Sequence, residues 1–369
     1  MRILVVNAGS SSLKLSVVVQ PGDELAGAEE LDRGADATRH AGGDDDLDAA
    51  LGRLGAASVD AVGYRVVHGG EHHDPSVADD ALVAEIERLD VLAPLHNAVA
   101  AAAIRDLRAR LPGVPHVACF DTAFHATLPR EARTYALPAE WIERFEIRRY
   151  GFHGLSVRWA TERAGVLLGR DPSDLQLVVA HLGSGASVTA VRDGASVATS
   201  MGMTPLEGLV MGTRSGSIDP GIALHLLRHG IGLEELSEGI SHGGGLAALS
   251  GGIAGMRELE SAATAGDDRA RLAIEVFVAR AAAEIAAAAT ALDRLDALVF
   301  TGGIGARSAS VRDAICRRLG ALGVPVPADA GGGEDRLVAD GTPAVALVTA
   351  REEVVIARDV ARLVTNRPN

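Results

Sequence analysis

The feature that most constrains this chain is an internal repeat. VVNAGSSSLKLSVV begins at residue 5, and VAHLGSGASVTAV begins at residue 179. Each reads as strand, Gly/Ser turn, strand, with RILVV (2–6) and LKLSVVV (13–19) flanking the first turn. Superposed, Asn7 falls over His181, Gly9 over Gly183 and Ser10 over Ser184. A period of about 174 residues is far too long for a solenoid and marks a duplicated domain. A length of 369 residues also exceeds what one compact core serves.

The rest of the pattern is α/β. AVGYRVVHGG (61–70) is a strand running into a Gly turn, and HVACFDTAFH (116–125) is strand then loop, with Asp121 at the strand's C-terminal end. Helices are expected near 79–92 and 98–110, and residues 21–58 as exposed loops with one short helix. In the second half, LQLVVAHLGSGASVTAVRDGASVATS (175–200) gives three strands joined by a Gly turn and a tight RDG turn. A long Ala-rich helix (268–292) then leads to the strand DALVF, a Gly loop TGGIGARS and the helix SVRDAICRRL. The strand AVALVTA and the helix REEVVIARDVARLV close the chain. With 47% hydrophobic but only 3% aromatic residues, the core must be built from Ala, Val, Leu and Ile.

Composition narrows function. A net charge of −14 without any basic block argues against nucleic acid and anionic membranes as partners. Cys119 and Cys316 match neither a disulfide framework nor a metal pattern, which fits a reduced, cytoplasmic setting. ILVV is too short for a signal-peptide core, and no apolar run approaches the roughly 18 residues of a membrane span.

Chemistry concentrates in the turns. Lys14 is the only lysine; every other one of the 35 basic residues is arginine. NAGSSSLK resembles a Walker A loop only loosely, with one Gly and the Lys inside a strand. Taken alone it is a hairpin turn with a solvated lysine. Paired with HLGSGAS, it makes two Gly/Ser hairpins able to clamp a polyphosphate through backbone N–H groups, hydroxyls and a compact ammonium. Arg65 and Arg214 each adjoin a Gly-rich turn; each is a surface residue, a carbonyl clamp, or a fork for a planar oxyanion. Asp121 and His153 sit in similar strand-end loops. HGGEHH (His68, His72, His73) would suit zinc only if its glycines allowed helical spacing. GISHG follows a helix rather than a strand, against a nucleophile elbow. GIGARS is a broken dinucleotide fingerprint, although a strand, Gly loop and helix still suit a ribose or phosphate.

Nine segments in order, NAGSSSLK, YRVVHGGE, LAPLHN, FDTAFH, YGFHG, HLGSGAS, SMGMTPLEGLVMGTRSGSIDP, FTGGIG and REEVVIA, resemble the acetate kinases over nearly the whole chain. The resemblance implies an α/β fold of two duplicated actin/sugar-kinase/Hsp70-like (ribonuclease H-like) domains with a cleft between them. The first spans 1–125 and is completed by the C-terminal helix 353–369; the second spans 126–352, binds nucleotide and dimerises. It implies Mg2+-dependent phosphoryl transfer between ATP and acetate in a cytoplasmic homodimer, with Mn2+ as a substitute ion. Carried over, Asn7, Ser10, Ser12 and Lys14 form the first phosphate loop. His181, Gly183, Ser184 and Gly185 form the second, and Arg257, Gly302, Gly303 and Gly305 complete the nucleotide site. Arg65 and Arg214 grip the carboxylate and the transferring phosphoryl. His153, with His181, supports the developing charge. Asp121 and Glu352 hold the metal, with Asn7 near the metal–phosphate group. Val67, Leu95, Phe152 and Pro205 line the pocket for the methyl group.

The departures cluster on the donor side. Ser184 stands where the family has Asn, Gly255 where it has Asp, and Ala306-Arg307 where it has Glu-Asn. The donor is therefore open between ATP held loosely, another base and a smaller phosphoryl donor. Propionate or butyrate are alternative acceptors, although Val67 narrows the pocket toward acetate. A non-catalytic ATP-binding regulator on the same fold is the reading of another class; Arg65, Arg214, Asp121 and His153 together argue against it. A metal hydrolase built on HGGEHH is the remaining one. The chain is also shorter than its relatives, with the deficit expected in residues 21–58.

Overall fold

The computed structural model describes residues 1–9, 12–32, 43–94, 96–328 and 333–366. Ser10 and Leu95, assigned to sites above, lie outside the described residues. The chain divides into two compact units. Unit 1 comprises Met1–Ala126, Phe152–Leu155 and Arg351–Asn369, and unit 2 comprises Thr127–Gly151 and Ser156–Ala350.

Unit 1 is built on six strands: β1 (Arg2–Ala8), β2 (Ser12–Val19), β3 (Glu24–Asp32), β4 (Ala61–Val66), β5 (Ser76–Val77) and β6 (His116–Phe120). Their spatial order is β3-β2-β1-β4-β6-β5. The first three form an antiparallel meander, β1, β4 and β6 run parallel, and β5 closes the edge antiparallel. Unit 2 uses β7 (Gln176–Leu182), β8 (Ala186–Arg192), β9 (Ala195–Thr199), β10 (Ala297–Thr301), β11 (Arg336–Ala339) and β12 (Ala344–Leu347). These lie in the order β9-β8-β7-β10-β12-β11 with the same strand senses. Counted from the start of each unit, both sheets read 3-2-1-4-6-5. The duplication legible in two turns thus extends to every strand.

The central parallel strands carry continuous apolar runs because both faces are covered. Ile3, Leu4, Val5 and Val6 of β1 are buried, as are Leu177, Val178, Val179 and Ala180 of β7. In unit 1, one cover is the helix Glu352–Thr365. A Cβ at Gly63 of β4 would stand 2.6 Å from Ile356 Cγ2 and 2.7 Å from Val360 Cγ2, so this helix reaches the sheet only over a glycine. In unit 2 the Ala-rich helix Asp268–Ala289 packs on β7 and β8, and its Asp267 cap accepts from the N–H groups of Arg269 and Ala270. The RDG turn joins β8 to β9 through Asp193 (φ 54°) and Gly194 (φ 78°), the double positive φ of a tight hairpin.

Three expectations change. Residues 21–58 hold the expected short helix, Gly43–Arg53, but Glu24–Asp32 is a strand and not a loop. ELAGAEELD has no β-branched residue; pairing with β2 from Val19↔Glu24 to Ser12↔Asp32 supplies what propensity does not. Its charged side chains suit an exposed edge. TGGIGARS, read as a Gly loop, contains the helical turn Gly302–Arg307, entered through Gly302 at φ 76°. The helix read at 79–92 is α-helical only over Asp80–Arg88, after which Leu89–Leu92 tightens into a 3-10 turn. Among the described residues, no helix is long and apolar enough to cross a membrane.

Candidate active site

In unit 1 the site grows from the C-terminal ends of the parallel strands. Asn7 lies one residue before the end of β1, Arg65 lies beside it near the end of β4 (Asn7↔Arg65 in register), and Asp121 follows β6. Glu352 opens the C-terminal helix. These four form one bonded group. Arg65 Nη2 donates to Asp121 Oδ2 at 2.6 Å, Nε approaches both Asp121 oxygens at 3.1 and 3.2 Å, and Nη1 donates to Asn7 Oδ1 at 3.2 Å. Arg65 Nε stands 3.4 Å from Glu352 Oε2, and Asn7 Nδ2 donates to that same oxygen at 3.3 Å. Asp121 is fully buried and Glu352 nearly so. Burial works against the Arg65 charge, but Asp121 and then Glu352 outweigh it and hold its pKa above the usual arginine value.

Gly-containing turns bring in the next residues. Gly154 N–H donates to the Asp121 carbonyl at 2.8 Å, and a Cβ at Gly154 would meet that oxygen at 2.2 Å. The His125 ring nitrogen Nε2 lies 2.9 Å from the Phe152 carbonyl, so Nε2 carries the proton and donates it. Between these two anchors His153 adopts φ 60°, a left-handed conformation that non-glycine residues rarely hold outside functional sites. Burial, only partly offset by the Phe152 bond, lowers the His125 pKa to about 4, so this anchor is neutral. These bonds explain why Phe152–Leu155 and Glu352, on the second-domain side of the sequence boundaries, cluster with unit 1. Val67 and Phe152 are both buried, and the Phe152 ring meets His68 edge-on with centroids 5.5 Å apart.

The two Gly/Ser turns close over different spans, three residues in the first and two in the second. Gly9 N–H donates to the Ser12 carbonyl at 2.9 Å, and Gly183 N–H donates to the Gly185 carbonyl at 3.0 Å. Lys14 and Ser12 converge on a residue that sequence reasoning missed, Glu30 of β3. Ser12 Oγ donates to Glu30 Oε1 at 2.6 Å, and Lys14 Nζ lies 3.4 Å from the same oxygen. No signal marked Glu30, because its strand was itself unread.

In unit 2, His181 lies one residue before the end of β7, directly opposite Thr301 of β10 in the parallel register, and its Nδ1 is 2.8 Å from the buried Ser156 hydroxyl. A Cβ at Gly302 would collide with the Leu182 carbonyl at 2.6 Å, and one at Gly183 would stand 3.8 Å from Gly303 N, so the HLGSG and TGGIG turns adjoin. Gly305 packs against Ala180 and Leu182. Ser184 is exposed, with its carbonyl accepting from Gly212 N–H at 3.1 Å. Arg257 is exposed on the first turn of the helix Met256–Thr264. Two of the donor-side departures have structural consequences. Glu258 Oε2 lies 2.0 Å from where a Cβ at Gly255 would be, and Arg307 Nη2 lies 2.8 Å from where one at Gly303 would be. Arg214 Nη1 donates to the carbonyl of the buried Pro205 at 3.2 Å.

Other candidates separate. His72 pairs with Glu85 at 3.0 Å, His73 lies 3.9 Å from Glu71, and His68 Nδ1 accepts from Gly70 N–H. No cluster of three or more His, Cys, Asp or Glu suited to a metal occurs among the described residues. A surface cavity of about 750 Å³ between Asp79, Arg105, Arg108 and His116 opens at the start of β6, the end opposite Asp121. Asp121, Glu352 and the Asn7 amide oxygen form an oxygen-only set, and the Arg65 guanidinium offsets one of its two negative charges. That donor chemistry fits Mg2+, which uses one or two carboxylates and completes its shell with phosphate and water.

Two copies of a 3-2-1-4-6-5 sheet, each opening on a Gly turn at the end of its first strand, define the actin/sugar-kinase/Hsp70-like class of α/β proteins. Known proteins narrow the class. A family model described as the acetokinase family matches residues 45–358. The acetate kinase of Deinococcus radiodurans is 44% identical over 391 residues, spanning 99% of this chain and 98% of that protein. The crystal structure of Porphyromonas gingivalis acetate kinase superposes with a TM-score of 0.88 at 31% identity, covering 98% and 99% of the two chains. A propionate kinase from Francisella tularensis subsp. tularensis gives 0.86 at 33% identity, covering 97% and 98%. The chain belongs to the acetokinase family.

Proposed function

We propose that the chain catalyses reversible phosphoryl transfer between ATP and acetate, giving acetyl phosphate and ADP by direct in-line attack. The observation that carries this reading is the bonded group of Asn7, Arg65, Asp121 and Glu352 in a chain of this family. Acetate is already an anion at neutral pH, so its attack needs no strong general base. The barrier lies in bringing two anions together and in spreading charge over the transferring phosphoryl. Arg65 and Arg214 supply guanidinium forks for the carboxylate and the phosphoryl, and His153 offsets the charge that develops between them. Asn7, Ser12 and Lys14, with His181 and the turns at Gly183–Gly185 and Gly302–Gly305, hold the donor phosphates. Arg257 serves the nucleoside. Val67, Phe152 and Pro205 exclude water from the methyl group. Asp121 and Glu352 are the residues that would hold Mg2+, which supplies charge neutralisation on the phosphate oxygens.

In this reading unit 1 is the N-terminal domain completed by the C-terminal helix, and unit 2 carries nucleotide binding and dimerisation. The helix Pro220–Arg228 supports a homodimer: it buries no residue and exposes Ile222, Leu224 and Leu227, apolar surface that wants covering. The acidic charge supports a cytoplasmic protein without nucleic-acid or membrane partners. A propionate or butyrate acceptor is the second reading, favoured by the comparable similarity to the Francisella protein.

Hydroxylamine trapping of acyl phosphate decides between them, with ATP as donor and acetate, propionate and butyrate in separate arms. Acetyl hydroxamate formed most efficiently supports the first reading, and a larger acid ahead of acetate supports the second. No hydroxamate from any acid refutes both.

A further inference from the structure

Three side chains of unit 2 with no role above meet on one loop. The Tyr135 hydroxyl donates to Glu207 Oε2 at 2.5 Å and accepts from Met203 N–H at 3.1 Å. Arg149 Nη2 donates to Glu207 Oε1 at 2.7 Å, while its Nη1 donates to the carbonyls of Ser200 and Met201 at 3.1 and 2.9 Å. The same guanidinium lies 5.3 Å from the Tyr135 ring centroid. The junction is built over Gly202, where a Cβ would stand 2.0 Å from Glu207 Oε2 and 2.2 Å from the Tyr135 hydroxyl. Burial, then the neighbouring Glu207 carboxylate, raises the Tyr135 pKa, so the hydroxyl keeps its proton and remains a donor.

The loop these residues hold has no helix or strand of its own and contains Gly202 and Gly208, the latter at φ 103°. Such a segment cannot keep one shape by itself. Its shape matters because the Pro205 carbonyl, inside the loop, accepts from Arg214. A chain of contacts therefore runs from Tyr135, Arg149 and Glu207, through the backbone of residues 200–208, to a guanidinium.

We propose that Tyr135, Arg149 and Glu207 are positioning residues for phosphoryl transfer: they fix the 200–208 loop so that the Pro205 carbonyl aims Arg214. This rests on the reading in which Arg214 shares the carboxylate and phosphoryl with Arg65 and Pro205 lines the pocket for the methyl group. Losing the clasp then loosens Arg214 and Pro205 together and weakens the hold on the small acid, while the donor phosphates keep their own turns.

The test is steady-state kinetics of the full chain with Tyr135→Phe, Glu207→Gln and the double variant, varying acetate and ATP separately. Losing one hydrogen bond predicts a rise of about fivefold in the acetate KM for Tyr135→Phe, and losing a charged one about tenfold for Glu207→Gln. The ATP KM stays within about twofold, and the double variant is no worse than Glu207→Gln alone, as expected of one device. A purely structural lesion would not split the two KM values. Unchanged acetate KM in active variants, equal rises for both substrates, or multiplying effects in the double variant overturn the proposal. Should Glu207→Gln not fold, Tyr135→Phe, which removes a single oxygen, decides alone. Wild-type protein that forms no acyl phosphate overturns the underlying function and this proposal with it, whereas active wild type with unaltered variants overturns the clasp alone.

Discussion

His125 offers a test that links stability to the site. The ring is 2% exposed, its Nε2–H holds the Phe152 carbonyl beside His153, and its pKa in the folded chain is about 4 against an ordinary 6.5. A folded pKa below the unfolded one means that the unfolded chain binds the proton more readily. The associated stability is therefore complete above about pH 6.5 and is lost as pH falls through the window down to about 4. Between pH 7 and pH 5 this single ring should remove about 2 kcal/mol, approaching about 3 kcal/mol below pH 4. The assay is urea unfolding of wild type and His125→Gln at both pH values, because the Gln amide keeps an N–H near the Phe152 carbonyl but cannot titrate. Wild type should lose about 2 kcal/mol more than the variant on acidification. Parallel losses, or a His125 ring resonance titrating near 6.5, would refute the reasoning.

The remaining predictions concern charge, space and the donor turn. Arg65→Gln leaves Asp121 buried with its cation removed; it should cost about 3–5 kcal/mol by denaturant unfolding and abolish acyl phosphate formation. Gly154→Ala places a methyl 2.2 Å from the Asp121 carbonyl. It should destabilise by about 1–3 kcal/mol, read in the same unfolding assay, and lower kcat by displacing His153. Lys14→Arg keeps the charge but puts a broad fork in a tight phosphate turn. The ATP KM should rise several-fold while the acetate KM holds, and full donor use by that variant would contradict the role given to the lone lysine.

Much of the architecture was legible because it rests on local signals. The apolar runs of β1 and β7, the Gly turns after them and the RDG hairpin each fix a strand or a reversal within a few residues, and their repetition exposed the duplication. Edge strand β3 was not legible, since its sequence is charged and only pairing with β2 makes it a strand. The helical turn at Gly302–Arg307 was hidden by the same three glycines that make its entry possible. In the site, Asn7, Arg65, Asp121 and Glu352 stood in readable motifs, yet their joining through one guanidinium depends on the C-terminal helix returning across the whole of unit 1. Glu30, His125, Ser156 and the Tyr135–Arg149–Glu207 clasp act through other residues, and no spacing rule reports such long-range partners.

Transfer of the terminal phosphoryl of ATP onto acetate is directly observable. Phosphorus NMR of purified protein with ATP, acetate and Mg2+ follows every phosphate species at once. Acetyl phosphate and ADP should appear in equal amounts, with neither formed by Arg65→Gln. ADP accompanied by inorganic phosphate and no acetyl phosphate at any time, or no turnover at all, would contradict that transfer.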